Sequence, residues 1–237
     1  RYQMSSKGLE KGPAKAAKAH IRYKTADGKV VPGVTTVLGV INKPALVKWA
    51  NNLGLQGIDS SAYVDETARI GTLAHEMIQE YLGGPVVDRG AYTKDQIDAA
   101  ENALISFFEW ERHQEGAKMV TRAIELPLVS EAYRFGGTID WYGEIGGRMW
   151  LVDIKSSKGL FTEHELQVAA YYKMLHENGY AVDGVRLLRV GRTEDEGFDD
   201  HVLSPVKLDA GWEVFENALR LYRTKQQYES QARKGAF

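Results

Sequence analysis

The chain has 237 residues, is 43% hydrophobic and carries 30 Lys/Arg against 32 Asp/Glu, which suits one medium α/β domain with a helical elaboration. It has no cysteine, which excludes disulfides, cysteine-ligated zinc and cysteine-ligated iron–sulfur clusters and fits a reducing, cytoplasmic setting. No apolar run approaches a membrane span and none reads as a signal-peptide core. The charge is unevenly spread: +8 over residues 1–48, −14 over 49–219 and +4 over 220–237. Basic ends around an acidic centre suit either a nucleic-acid footprint about a cation site or a solvated tail and helix end.

In chain order, residues 1–20 are rich in Lys, Ala and Gly, and Gly8, Gly12 and Pro13 interrupt any helix, so a flexible basic arm is expected. IRYKTADGKVVPG reads as a hairpin turning at Asp27-Gly28. TTVLGVI and PALVKWANNLGL read as helices, with Pro44 suited to a first helical turn. A long helix is predicted over 61–82. Thr93 and Gln96 form a capping-box pattern that opens another, reaching about 115. Strands follow at 119–129, 133–144 and 148–155, then a helix over 163–178, strands at 183–190 and 198–203, and a last helix from 209. The short links at 130–132 and 145–147 permit only antiparallel neighbours. The predicted fold is therefore α/β, with a mixed central β-sheet flanked by helices on both sides. One domain over 21–237 is expected: a helical N-terminal part (34–116), a core (119–204) and a C-terminal helix (209–233).

The stretch GGTIDWYGEIGGRMWLVDIKSS concentrates the chemistry. A two-residue loop at Gly146-Gly147 needs positive φ at both positions, and it puts residues whose numbers sum to 293 opposite each other. Asp140 then faces Asp153 with Cβ atoms about 5 Å apart, and Lys155 shares that face. Like charges directly opposite are destabilising. A bound divalent cation would compensate them, and an exposed ladder with ion pairs to Lys155 would do so as well. Downstream, Gln167 and Tyr171 lie at i and i+4 on one helix face. Upstream, His75 lies one turn after Gly71. A lone helical histidine is ordinarily structural, although imidazole is a common metal ligand.

Taken in order, Gly71/His75, Gly137/Asp140, Asp153/Lys155 and Gln167/Tyr171 read G-x-x-x-H, G-x-x-D, D-x-K and Q-x-x-x-Y. This series resembles the RecB-like branch of the PD-(D/E)XK nucleases. PGVTTVLGVINKPALVKWA, ahead of it, resembles the opening of phage-type RecB-like exonucleases and of the mitochondrial genome maintenance exonucleases. The likeness spans about residues 30–190 and implies a restriction-endonuclease-like core. It implies a metal site of His75, Asp140, Asp153 and the Ile154 carbonyl, holding one or two Mg²⁺ or Mn²⁺ ions, with Asp140, Asp153 and Lys155 catalytic. Gln167 and Tyr171 would brace the site or touch DNA, and Thr35, Thr36, Lys43, Lys48 and Lys158 would contact DNA. Glu125 reads either as a further acid near the metal or as a core-edge glutamate.

Ile139 replaces the proline that names the superfamily, and neither an iron–sulfur cysteine set nor a helicase segment is present. The implied activity is a metal-dependent DNA exonuclease acting at free single-stranded ends, in recombination, repair or degradation. It would stand alone or serve a recombination or helicase partner, in a bacterial or phage-infected cell or, alternatively, in the mitochondrial matrix. A catalytically silent nucleic-acid-binding module of the same fold, a structure-specific endonuclease and a metal-dependent hydrolase of another phosphate ester are the competing readings.

Overall fold

The computed structural model describes residues 21–114 and 116–235, so the basic arm expected at 1–20 lies outside the described residues. The elements are α1 (Val34–Leu38), α2 (Pro44–Leu55), α3 (Ser60–Tyr81), α4 (Lys94–Arg112), β1 (Met119–Ser130), β2 (Phe135–Ile145), β3 (Arg148–Lys155), α5 (Thr162–Glu177), β4 (Gly184–Val190), β5 (Phe198–Leu203) and α6 (Pro205–Arg233). Among the described residues, no helix is long and apolar enough to cross a membrane.

Local chemistry explains most of these boundaries. The Asp59 carboxylate caps α3 by accepting the Ser61 and Ala62 N–H groups. Thr93 and Gln96 close the anticipated capping box on α4. The last helix starts at Pro205, four residues before the expected Asp209. The reason is local: Pro205 opens the first turn, and the Ser204 hydroxyl accepts the Lys207 N–H at 3.3 Å. Asp27-Gly28 does turn the chain, but the flanking residues form only an isolated Lys24–Val30 bridge.

The five strands lie in the order β1-β2-β3-β4-β5. All neighbours are antiparallel except β3 and β4, which α5 joins as a parallel pair. The sheet is thus mixed. One apolar cluster joins α1, α5 and α6 to one face, through residues such as Phe135, Leu151, Met174 and Phe215. A second joins α3 and α4 to the other face, through Leu73, Phe107, Trp110, Val152 and Ile154.

Gly146 and Gly147 both adopt positive φ, +59° and +76°, and the register between β2 and β3 is the anticipated one. It runs from Ile145↔Arg148 to Trp141↔Val152. Side chains on a regular strand alternate between faces. Along β2, however, Ile139 belongs to the α5-side cluster, Trp141 to the α3-side cluster and Tyr142 to the α5 side again. The alternation therefore switches phase at Asp140. β1 switches at the facing position: Leu126 packs on the α5 side and Ile124 on the α3 side, and Glu125 between them has φ +50°. A left-handed residue within a strand breaks its two-residue repeat.

Candidate active site

Asp140 sits at this phase switch, and the chemistry collects around it. Its Oδ2 accepts the Ile154 N–H at 2.8 Å, just past the last β2–β3 ladder pair. His75 Nδ1 lies 3.8 Å from the same oxygen. α3 packs on the face opposite Asp153, so regular alternation would have separated its histidine from the acids. The switch at Asp140 brings them together. Gly71, one turn before His75, lets α3 approach the end of β3: a Cβ there would stand 3.0 Å from Ser156 Oγ.

Asp153 is fully buried, which rules out the solvent-exposed ladder. Lys155 Nζ is 2.6 Å from Asp153 Oδ2, yet neither carboxylate oxygen has a directed hydrogen-bond partner. Burial pushes the Asp153 carboxyl up to about 6; Lys155 opposes that rise and the Asp140 charge adds to it. For Lys155, burial disfavours the ammonium, but attraction to Asp153 and Asp140 outweighs it, so the group is held above its ordinary value and stays charged at neutral pH.

α5 supplies the bracing residues. Gln167 Nε2 donates to the Tyr171 hydroxyl at 2.9 Å. The Tyr171 ring lies so close to β2 that a Cβ on Gly137 would overlap it. Burial, reinforced by the Asp153 charge, holds the Tyr171 phenol well above its ordinary value, so it remains protonated. Glu125 stands across from Asp140 in the β1–β2 register, and its Oε1 accepts from Gln79 Nε2 at 2.6 Å. Gln79 follows His75 by one turn of α3; the i,i+4 spacing was the only sequence signal for it. Glu125 is thus a half-buried residue of edge strand β1, with a left-handed backbone and a tie to α3.

Thr35, Lys43, Lys155 and Gln167 line one cleft. Lys43 is paired there with Glu163 at 2.9 Å. Thr36, Lys48 and Lys158 are exposed and are not among the residues lining it. Sequence reasoning missed His164, which is part of this cleft. Burial, and then the charge of Lys155, lower its imidazole to about 4, so it is neutral near pH 7. Its Nδ1 accepts the Phe161 N–H at 3.2 Å, which fixes the start of α5.

Among the described residues, no three His, Cys, Asp or Glu side chains converge as a ready-made metal cage. The donor set still suits a divalent ion. Asp153 Oδ1 is buried without a hydrogen-bond partner, which is costly unless further positive charge or a donor completes it. Mg²⁺ in particular is commonly bound by one or two carboxylates, with water and phosphate oxygens filling the remaining positions.

A sequence profile described as the PD-(D/E)XK nuclease superfamily matches residues 48–234. No curated protein matches the chain. Similar solved structures include LHK-Exo in complex with dAMP, at 14% identity and a TM-score of 0.38, over 72% of this chain and 92% of that one. Another is SSO0001, at 12% identity and a TM-score of 0.29, over 66% of this chain and 74% of that one.

Proposed function

The chain belongs to the PD-(D/E)XK nuclease superfamily, and from that premise we propose that it is a Mg²⁺- or Mn²⁺-dependent DNA exonuclease of the RecB-like branch, acting at free single-stranded ends. The observation that carries this reading is the meeting of Asp140, the buried Asp153 and the charged Lys155 where β2 and β3 part, within reach of His75. Residues 21–237 act as one nuclease domain in this reading.

Asp140, Asp153 and the Ile154 carbonyl would hold the ion, with His75 joining them. In an extended strand a residue's N–H and C=O leave on the same edge, so the Ile154 carbonyl faces Asp140 as its N–H does. When bound, such an ion supplies an activated water at neutral pH and offsets phosphate charge. The chain's own groups do the rest. Lys155 presents a permanent ammonium to the attacking water or to a non-bridging phosphate oxygen, where negative charge grows in the transition state. Tyr171, locked by Gln167 and Gly137, backs Asp153 and keeps bulk water from its carboxylate. One strand is bound so that a single phosphodiester bond lies beside the Asp153–Lys155 pair, within reach of Asp140.

The test compares end-labelled linear DNA with circular DNA, single- and double-stranded, with and without Mg²⁺ or Mn²⁺. Metal-dependent loss of nucleotides from linear single strands, with circles resistant, is expected. Circles cut as fast as linear strands would instead make the enzyme an endonuclease. Asp153→Ala should abolish cleavage yet bind DNA nearly as well. Lys155→Ala should lose about 10²-fold or more in turnover while DNA affinity changes little. Wild-type turnover in Lys155→Ala would remove that residue from the chemistry.

A further inference from the structure

Beside Lys155 lies a cleft of about 700 Å³ to which the proposed chemistry assigns no occupant. Its walls come from the α1–α2 region and from the start of α5. Most of the lining is apolar: Leu38, Ile41 and Leu46 on one side, Phe161 and Leu166 on the other. Phe161 is a large aromatic residue left 54% exposed, and its ring meets the neutral His164 ring edge-on at 5.5 Å. α2, which forms part of the wall, has no buried residue, although Leu46, Val47 and Leu55 lie along it. A helix that carries apolar side chains and buries none of them presents a surface suited to a ligand.

We propose that this cleft is a subsite for one unpaired nucleobase, stacked on Phe161, next to the phosphate held at Lys155. The inference rests on the nuclease reading above. Lys155 lines both the cleft and the carboxylate cluster, so whatever enters the cleft is the immediate neighbour of the reacting phosphate. The lining itself suits a base better than a phosphate. Lys43, the other cation there, is already neutralised by Glu163 at 2.9 Å, and that carboxylate would repel a phosphate. The volume falls in the range of about 300–1,000 Å³ typical of small-molecule sites. A base can enter only if it has left its partner, so the subsite would select single-stranded DNA at the point of cleavage. Stacking on an aromatic side chain tolerates any base, so the selection is for strand state and not for sequence.

Single-stranded oligodeoxynucleotides carrying one abasic residue, scanned along the strand, provide the test. At one position the abasic residue should lower wild-type kcat/KM about 10- to 100-fold, the size of one base–aromatic stack. In Phe161→Ala the same lesion should cost less than about threefold, and Phe161→Tyr should restore the wild-type profile. Phe161 is half-exposed, so the fold survives its truncation. An identical profile in wild type and Phe161→Ala overturns the subsite. A second measurement needs no turnover: in EDTA, oligonucleotides with 2-aminopurine at each position are titrated with either protein. Position-specific quenching by wild type that Phe161→Ala loses supports the subsite, even if the wild type cleaves nothing and the nuclease reading falls. Quenching that is uniform along the strand, or equal in both proteins, sinks the subsite while leaving the nuclease reading untouched.

Discussion

At Asp153, protonation, folding and chemistry are one problem. Its carboxyl is raised from the ordinary 3.8 to about 6, first by burial and against the pull of Lys155. In the unfolded chain the same group titrates near 4. Between about pH 4 and 6 the folded protein therefore binds more protons than the unfolded one, and the stability contributed by Asp153 falls as pH rises through that window. Asp153→Asn does not titrate there. Without metal, the melting temperature of wild type relative to Asp153→Asn should drop by about 4–8 °C between pH 4 and pH 7, on the order of 2 kcal/mol. A constant difference across that range would mean that the carboxylate is better solvated than its burial implies. The D-x-K spacing announces the pair Asp153 and Lys155, but it carries no information on burial. The elements that enclose them, β2, β4 and α5 among them, are remote in sequence, and the depth of that packing sets the raised carboxyl.

Within the elements, the decisive feature is the phase switch shared by β1 and β2. The hairpin register follows directly from Gly146-Gly147, because a two-residue loop leaves one choice of partners. The switch at Glu125 and Asp140 has no comparable marker, since glutamate ordinarily avoids positive φ. Its consequence is large: α3, packed on one face, delivers His75 to acids that belong to the other. Glu125 carries left-handed strain of about 1–2 kcal/mol and gains a hydrogen bond from Gln79 worth about 1 kcal/mol. Glu125→Gly releases the strain and loses the bond, so it should leave the melting temperature within about 3 °C of wild type. Glu125→Val retains the strain, worsens it by β-branching and loses the bond; a fall of about 5 °C or more is expected. Equal behaviour of the two variants in thermal denaturation would argue against a left-handed residue in β1.

For the whole molecule, the site is a place where stability is given up for chemistry. Two carboxylates and a lysine meet at the edge of the apolar core, and Asp153 keeps Oδ1 without a hydrogen-bond partner at no exposure. Any ligand that binds only the folded state stabilises it by mass action. At pH 7–8, millimolar Mg²⁺ or Mn²⁺ should raise the melting temperature by about 2–6 °C, and Asp140→Asn should abolish the rise. Because the ion competes with protons for Asp153, the rise should shrink as pH falls below about 6. An equal shift in wild type and Asp140→Asn would place the ion elsewhere on the molecule.

The sequence alone determined what depends on neighbours along the chain. The helix start at Thr93, the double-glycine turn and its register, the antiparallel links of the mixed sheet and the Gln167–Tyr171 pair all follow from short spacings, where propensity and hydrogen bonding act locally. The Asp59 cap of α3 and the Ser204-Pro205 start of α6 are local signals of the same class. Tertiary structure decided what depends on residues far apart. Tyr23 and Thr138 share a hydrogen bond across 115 positions, and Gln79 reaches Glu125 across 46. The burial of Asp153, the meeting of His75 with Asp140 and the cleft between α2 and α5 are of this kind. Desolvation and close packing are properties of the assembled chain: a carboxylate's charge state depends on which surfaces close over it, and no local spacing records that.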